Sequence, residues 1–266
     1  MILSVQHVTQ YRYGSPVRGV VQSHRLRPST FDGQKVLAWQ VAVSDGLLGG
    51  GFRDGAGDWV QGWSVTGPVD AISISVQGQV ETRDLSGLLT GLRETVPPDA
   101  YLVDTLPTRA DAALADLAHS VGLAEPLDVA HRLSGAVSDA IAYKPGETTA
   151  QTTAAEALAL GKGVCQDHAH ALVCLARWRQ VPARYVSGYL QTDAADHEAA
   201  HAWAELWVQG LGWVGFDPAN RCCPDDRYIR LGSGYDAQDA APIRGISRGA
   251  GVERLDVTVA IQMVQQ

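Results

Sequence analysis

Hydrophobic and polar residues alternate with a period of two through the first third of the chain. The clearest runs cover residues 5–11, 36–43, 58–65 and 71–76, and Gly, Pro, Asp and Ser separate them. Such alternation is typical of strands that turn one face to a core and the other to solvent. We therefore predict an N-terminal antiparallel β-sandwich domain over residues 1–105.

The pattern changes after a proline-containing stretch at residues 96–101. Ala and Leu then recur at helical spacing, which predicts helices over 109–121, 127–141, 152–160 and 165–179. Strand-like segments follow at 184–192, 201–208, 213–217 and 252–264, and surface loops are predicted at 194–200 and 224–245. Helices followed by an antiparallel sheet indicate an α+β domain over residues 106–266.

Composition narrows the classes of function. The 266 residues carry a net charge of −8, and 45% of them are hydrophobic. An acidic protein without Lys/Arg runs is a poor partner for nucleic acid or for a membrane surface. The N-terminus lacks the features of a signal peptide, and no apolar run approaches the roughly 20 residues that span a bilayer, so we predict a cytoplasmic protein. Four cysteines are too few for a disulfide framework and are expected to be reduced.

The first candidate for chemistry is Cys165, which follows the glycine-rich turn at 161–163 and opens a predicted helix. Unpaired N–H groups and the positive end of the helix dipole favour a thiolate there. The same N–H groups can stabilise an oxyanion. A buried cysteine that only packs is the competing interpretation.

Two further residues complete a possible catalytic set. His201 opens a predicted strand and could act as the base for a thiol. Asp217 ends the next strand and could orient the imidazole, although an Asp before a proline is also common in turns. Each signal is weak alone, but a hairpin between the two strands would bring His201 near Asp217.

Several motifs together resemble the bacterial transglutaminase-like superfamily. They are GVCQDHAH at 163–170, ARYVSGYL at 183–190, HAWAELW at 201–207 and GWVGFDPAN at 212–220, with VTQYRYGSPV at 8–17 and HRLRP at 24–28 resembling its N-terminal β domain. The resemblance implies a papain-like transglutaminase core with Cys165 as nucleophile, His201 as base and Asp217 as orienting acid. The family pattern often reads Asp-Pro-Thr-Asn, whereas this chain has Ala219 at the third position.

Four other residues are candidates for substrate binding, namely Asp167, His170, Tyr143 and Trp203. Each has a structural alternative: a polar residue near a helix start can cap the helix, and an aromatic residue can belong to the core. The adjacent Cys222 and Cys223 could be incidental, redox-active or part of a metal site.

The resulting hypothesis is a thiol-dependent hydrolase of peptide, protein or isopeptide amides that works through a thioester. The alternative is a protein-glutamine acyltransferase, because the superfamily includes cross-linking transglutaminases as well as peptidases. A zinc-binding or structural protein is a third interpretation, although the Cys and His spacing lacks a paired Cys-x-x-Cys arrangement. We predict no cofactor and no metal, and the oligomeric state stays open.

Overall fold

The computed structural model describes residues 1–192, 200–249 and 251–264. Its strands, in chain order, are β1 (Ile2–His24), β2 (Gln34–Val43), β3 (Gly46–Arg53), β4 (Trp59–Thr82), β5 (Ala142–Tyr143), β6 (Lys162–Gly163), β7 (Ala183–Leu190), β8 (Ala200–Val208), β9 (Gly212–Phe216), β10 (Tyr228–Gly234), β11 (Ile243–Ser247) and β12 (Glu253–Met263). Its helices are α1 (Ala112–Ser120), α2 (Pro126–Ala140), α3 (Ala154–Leu160) and α4 (Cys165–Trp178), preceded by the 3-10 turns Pro98–Tyr101 and Leu106–Thr108.

The N-terminal part is one antiparallel sheet built on two long strands, β1 and β4. Strands β2 and β12 flank one half of this pair, and β3 and β11 flank the other. Val20 and Val65 from one half share a buried cluster with Ile72 and Val76 from the other half. The two halves therefore enclose a common core, which is the sandwich-like packing that the alternating pattern predicts.

The C-terminal part packs helices on a four-stranded antiparallel sheet of order β10-β7-β8-β9. Helix α4 lies against β7 and β8, while α1, α2 and α3 contact α4. Leu133 of α2, Leu172 of α4 and Leu206 of β8 are fully buried in this shared core. The α+β prediction for the fold is thereby confirmed, and α4 begins at Cys165 as the pattern indicates.

The last two strands return to the first sheet. β11 pairs with residues 20–24 of β1, and β12 pairs with residues 3–13. Because β11 and β12 pair with β1, the first sheet contains strands from both ends of the chain. A boundary between residues 105 and 106 therefore does not assign each sheet to one continuous segment. The division into two domains stays a prediction.

The predicted surface loop at 224–245 is wrong at 228–234 and at 243–245, where strands β10 and β11 lie. Strand β10 occupies Tyr228–Gly234 and is buried along its whole length against β7. A segment with a central Arg and two Gly residues lacks strand character locally, and its burial depends on acidic partners for Arg230 from distant parts of the chain. The loop predicted at 194–200 lies outside the described residues, except for Ala200, where β8 begins.

No helix among the described residues is long and apolar enough to cross a membrane. The cytoplasmic location stays a prediction.

Candidate active site

The residues between α3 and α4 determine where helix α4 begins. Helix α3 ends at Gly161, which adopts a left-handed conformation with φ of 65°. The chain then pairs with β5 and reaches Gly163, where an added Cβ would lie 2.7 Å from the Cβ of Asp167. The Asp167 carboxylate accepts a hydrogen bond from the Val164 N–H at 2.8 Å. This capping places Cys165 at the first position of the helix.

Cys165 differs from the other cysteines in its surroundings. Its side chain is partly exposed, and it packs against a small cluster that includes Tyr185 and Ala240. Cys174 lies on the same helix but is buried, and burial raises the pKa of its thiol to about 12. Burial likewise raises the pKa of the Cys223 thiol to about 11. Those thiols are therefore neutral and poorly nucleophilic at neutral pH.

The structure brings His201 and Asp217 into direct contact. His201 is the second residue of β8, Asp217 directly follows β9, and the two strands form the expected antiparallel pair. His201 Nε2 donates to Asp217 Oδ2 at 2.6 Å, and both side chains are buried. A hydrogen bond with the Cys165 side chain also contributes to the pKa of His201.

Charges and hydrogen bonds set the protonation of this pair. Burial disfavours the imidazolium, but hydrogen bonds and charges from Asp217 and Cys165 outweigh it and raise the pKa of His201 from 6.5 to about 10. Burial also opposes the Asp217 carboxylate, yet hydrogen bonds and the charge of His201 keep the pKa of this acid below its ordinary value. The imidazolium and the carboxylate are thus favoured together at neutral pH.

Two residues that hold Asp217 were not among the predicted site residues. Tyr228 of β10 donates its hydroxyl to Asp217 Oδ2 at 2.8 Å, and Asn220 donates its side-chain amide to the same oxygen at 2.7 Å. Paired backbone hydrogen bonds between Asp217 and Cys222 close the turn that presents Asn220. The Asp-Pro-x-Asn motif could have identified Asn220, whereas Tyr228 lies in the segment assigned to a loop.

The other predicted site residues have mostly structural partners. Asp167 is fully buried and caps α4, and its second hydrogen bond comes from the Thr148 hydroxyl at 2.7 Å. His170 is 1% exposed and accepts the Ala237 N–H at 3.0 Å. Trp203 is 2% exposed and stacks on the His201 ring with centroids 6.4 Å apart. All three side chains are buried and have partners within the protein, and their role in substrate binding stays a prediction.

Tyr143, the fourth predicted binding residue, is half-buried beside His168, with ring centroids 6.2 Å apart. Its role in binding stays a prediction.

The residues weighed as zinc ligands have separate partners. Both ring nitrogens of His168 lie 2.8 Å from carbonyl oxygens, those of Val164 and Ile141. Cys222 Sγ lies 3.4 Å from the Tyr228 hydroxyl, beside the carboxylate of the candidate triad. Within residues 1–192, 200–249 and 251–264, no three His, Cys, Asp or Glu side chains are grouped as metal ligands.

A thiol at a helix start, an imidazole and a buried carboxylate thus lie close together. Such a set can carry out nucleophilic substitution at a carbonyl carbon, with the imidazole moving the proton. The first N–H groups of an α-helix have no partner within the helix, and they can stabilise negative charge that develops near its start.

Comparisons with known proteins identify the family of this chain. Residues 115–218 match the transglutaminase-like superfamily, and residues 3–81 match the bacterial transglutaminase-like N-terminal region. An uncharacterized protein of Mycobacterium bovis is 31% identical over 91% of this chain and 86% of its own length. An uncharacterized protein of Mycobacterium leprae is 29% identical over 97% of this chain and 98% of its own length.

A solved structure has the same fold over the whole chain. It is a Cytophaga hutchinsonii protein described as a candidate cysteine protease, with a TM-score of 0.77 and 19% identity. The alignment covers 100% of this chain and 91% of that protein. Taken with the matched sequence regions, these similarities show that the chain belongs to the bacterial transglutaminase-like superfamily.

Proposed function

We propose that this protein is a thiol-dependent amide hydrolase that acts on peptide, protein or isopeptide substrates. The observation that carries the proposal is the chain of contacts from Cys165 through His201 to Asp217. Cys165 is partly exposed, so a substrate can reach its side chain, whereas the Asp217 carboxylate is buried.

Acylation begins with the Cys165 thiolate, which is paired with the His201 imidazolium. The sulfur attacks the carbonyl carbon of the amide, and the carbonyl oxygen becomes an oxyanion beside the free N–H groups of α4. The imidazolium gives its proton to the amide nitrogen as the C–N bond breaks. An amine or ammonia leaves, and an S-acyl thioester remains on Cys165.

Deacylation uses the same groups in reverse. The neutral imidazole of His201 removes a proton from water, whose oxygen attacks the thioester carbon. The C–S bond breaks, the carboxylic acid leaves, and the thiolate–imidazolium pair is restored. Asp217 stays ionised throughout, because it orients the ring and stabilises its charged form without taking the proton.

Hydrolysis is preferred over acyl transfer because water needs no binding site of its own. A transferase would need a second site that admits an amine and excludes water. The protein-glutamine acyltransferase remains the alternative product of the same thioester.

A substrate screen tests the proposal. Labelled peptides, glutamine amides and isopeptides are incubated with the protein, with and without added hydroxylamine, and products are identified by mass spectrometry. Release of free acid without the amine supports a hydrolase. Product that forms only as a hydroxamate or cross-link would instead identify a transferase.

Alkylation tests the nucleophile without any substrate. Iodoacetamide near neutral pH should label Cys165 faster than Cys174, since the buried Cys174 has its pKa raised to about 12. The His201→Gln variant should slow the labelling of Cys165 and leave Cys174 unchanged. Equal rates at the two cysteines in the native protein would contradict the assignment.

A further inference from the structure

Tyr185 of β7 packs beside the candidate nucleophile, and the proposed reaction has not used it. Its side chain belongs to a small buried cluster with Ala169, which lies one helical turn after Cys165 on α4. Cys165 packs against the same cluster. The Tyr185 ring also lies 5.0 Å from the His170 ring of α4, centroid to centroid. Tyr185 is therefore packed against the part of α4 that carries the thiol.

The hydroxyl group of Tyr185 is unpaired. The residue is 5% exposed, and its hydroxyl forms no hydrogen bond with any of the described residues. Asp167 Oδ1 and His170 Nδ1 are also unpaired, but those two atoms are fully enclosed, whereas Tyr185 Oη is not. The tyrosine hydroxyl is therefore the unpaired polar group in this region that can still be reached from outside the protein.

The charges around Tyr185 keep its hydroxyl protonated. Burial raises the pKa of Tyr185 well above its ordinary value, and the charges of Cys165, Asp167 and Asp236 raise it further, with Cys165 the largest of the three. A Coulomb interaction weakens with distance, so the leading effect of Cys165 agrees with the packing of the two side chains. A protonated phenol beside the thiol is a hydrogen-bond donor.

We propose that the Tyr185 hydroxyl donates a hydrogen bond to the oxyanion that forms when Cys165 attacks a carbonyl group. The inference rests on the proposed function. The thiolate sulfur forms the C–S bond, the π electrons of the carbonyl move to its oxygen, and the hydroxyl donates without losing its proton. The C=O bond then re-forms, the C–N bond breaks, and the amine leaves with the proton of His201. The unpaired donor gains a strong partner as negative charge develops, so it lowers the barrier to acylation.

Two reactions of Cys165 separate this role from an effect on the thiol itself. p-Nitrophenyl acetate acylates a thiolate through a tetrahedral oxyanion, whereas iodoacetamide alkylates it at a saturated carbon without forming one. Tyr185→Phe should slow the release of p-nitrophenolate roughly 10²-fold and leave the alkylation rate of Cys165 within about twofold of the native rate. Peptide mass spectrometry identifies the acetylated residue. On the substrate found in the screen, kcat should fall and KM should stay unchanged.

Tyr189→Phe is the matched control, because Tyr189 lies on the same face of β7 and its hydroxyl is bonded to His7 at 2.7 Å. It should lower the midpoint of urea unfolding and leave both rates unchanged. Tyr185→Phe should not lower that midpoint, because it keeps the ring and removes only an unpaired hydroxyl.

The outcomes distinguish this inference from the proposed function. An acylation rate that Tyr185→Phe leaves unchanged would overturn the role of the hydroxyl and leave the proposed function standing. Alkylation that slows as much as acylation would also overturn it, since the hydroxyl would then act on the sulfur. Native protein whose Cys165 is alkylated but never acetylated would count against the proposed function, and the inference would fall with it.

Discussion

Strand β8 contributes a residue to each of two clusters of buried charged groups. His201 belongs to the candidate active site, and Glu205, four residues further along, belongs to an ion-pair network. Glu205 accepts hydrogen bonds from Arg184 at 2.6 Å and from Arg230 at 2.8 Å. Arg230 in turn donates to Asp58 at 2.6 Å. All four side chains are at most 3% exposed.

The network joins parts of the chain that are far apart in sequence. Asp58 precedes β4 in the N-terminal sheet, while Arg230 lies on β10 of the other sheet. Glu94, in the segment between the two parts, accepts from Arg184 at 2.6 Å and from the Trp213 indole at 2.6 Å. Because these charged groups are bonded to partners from several parts of the chain, the network links the two sheets.

In the candidate active site the acid is buried, but the thiol is partly exposed. Asp217 Oδ2 accepts from His201, Asn220 and Tyr228, much as Glu205 accepts from its two arginines. The difference lies at the sulfur, which is partly exposed. The two clusters therefore differ in access: the charged groups of the network are enclosed by protein, whereas the thiol next to His201 is partly exposed.

The largest expected effect is on turnover in Cys165→Ala. Removal of the nucleophile should lower kcat by at least about 10⁴-fold, because no thioester can form. Urea unfolding should change by less than about 1 kcal/mol, since Cys165 is outside the ion-pair network. Residual turnover above one per cent, measured on the substrate found in the screen, would contradict the assigned nucleophile.

Replacement of the acid should leave a small residual activity. Asp217→Asn is expected to lower kcat roughly 10²- to 10⁴-fold, because the imidazole loses its orienting and charge-stabilising partner. Adding the substitution to Cys165→Ala should cause no further loss, since the residues act as one unit. Asp116→Asn, an exposed acid on α1, is the matched control and should leave kcat unchanged.

The ion-pair network should show its effect in stability. Arg230→Ala leaves Asp58 and Glu205 buried with reduced pairing, and we expect it to lower the free energy of unfolding by about 3–5 kcal/mol. Arg227→Ala removes an exposed ion pair with Asp225 and should cost at most about 1 kcal/mol. Urea denaturation of the two variants measures the difference, and similar losses would refute the distinction between enclosed and exposed charge.

The Tyr228 hydroxyl joins β10 to the candidate site. Tyr228→Phe removes one of the three hydrogen bonds to Asp217 Oδ2 and should lower kcat roughly tenfold. Tyr189→Phe is a matched control, because this buried tyrosine on β7 bonds His7 at 2.7 Å instead of the acid. It should alter stability without altering kcat, and an equal loss of kcat in both variants would show that only strand packing matters.

The stability of the fold should also depend on pH. Burial lowers the pKa of His7, His24 and His170 from 6.5 to about 4. The unfolded chain therefore binds these protons first, so stability falls as pH drops from 6.5 towards 4, by up to about 1.4 kcal/mol per pH unit for each histidine. His24→Gln should reduce that slope in urea unfolding, and an unchanged slope would count against a neutral buried ring.

The pKa of His201 predicts the opposite trend at high pH. Its folded pKa of about 10 lies above the ordinary 6.5, so its contribution to stability is complete below 6.5 and is lost as pH rises towards 10. Cys165→Ala removes one cause of the raised His201 pKa, so this contribution to stability should be lost at a lower pH than in the native protein. If that pH is the same in the variant and the native protein, the thiol does not contribute to the raised pKa of His201.

The local sequence pattern by itself predicted many of the secondary-structure elements of this protein. The period of two predicted parts of β1, β2 and β4, with the two runs in β4 belonging to one long strand, but it did not predict β3. The Ala/Leu spacing predicted four helices close to their observed bounds. Helix propensity, turn residues and capping act within a few residues, so they could also place Cys165 at the start of α4 and Asp217 just after β9.

Tertiary structure alone decided which side chains support that site. Tyr228 and Arg230 sit in a segment without a strand-like pattern, and their partners Asp217, Glu205 and Asp58 come from other elements. The return of β11 and β12 to β1 is likewise a pairing across more than 200 residues. Burying a charge or closing a sheet edge depends on groups distant in sequence, and no local pattern encodes them.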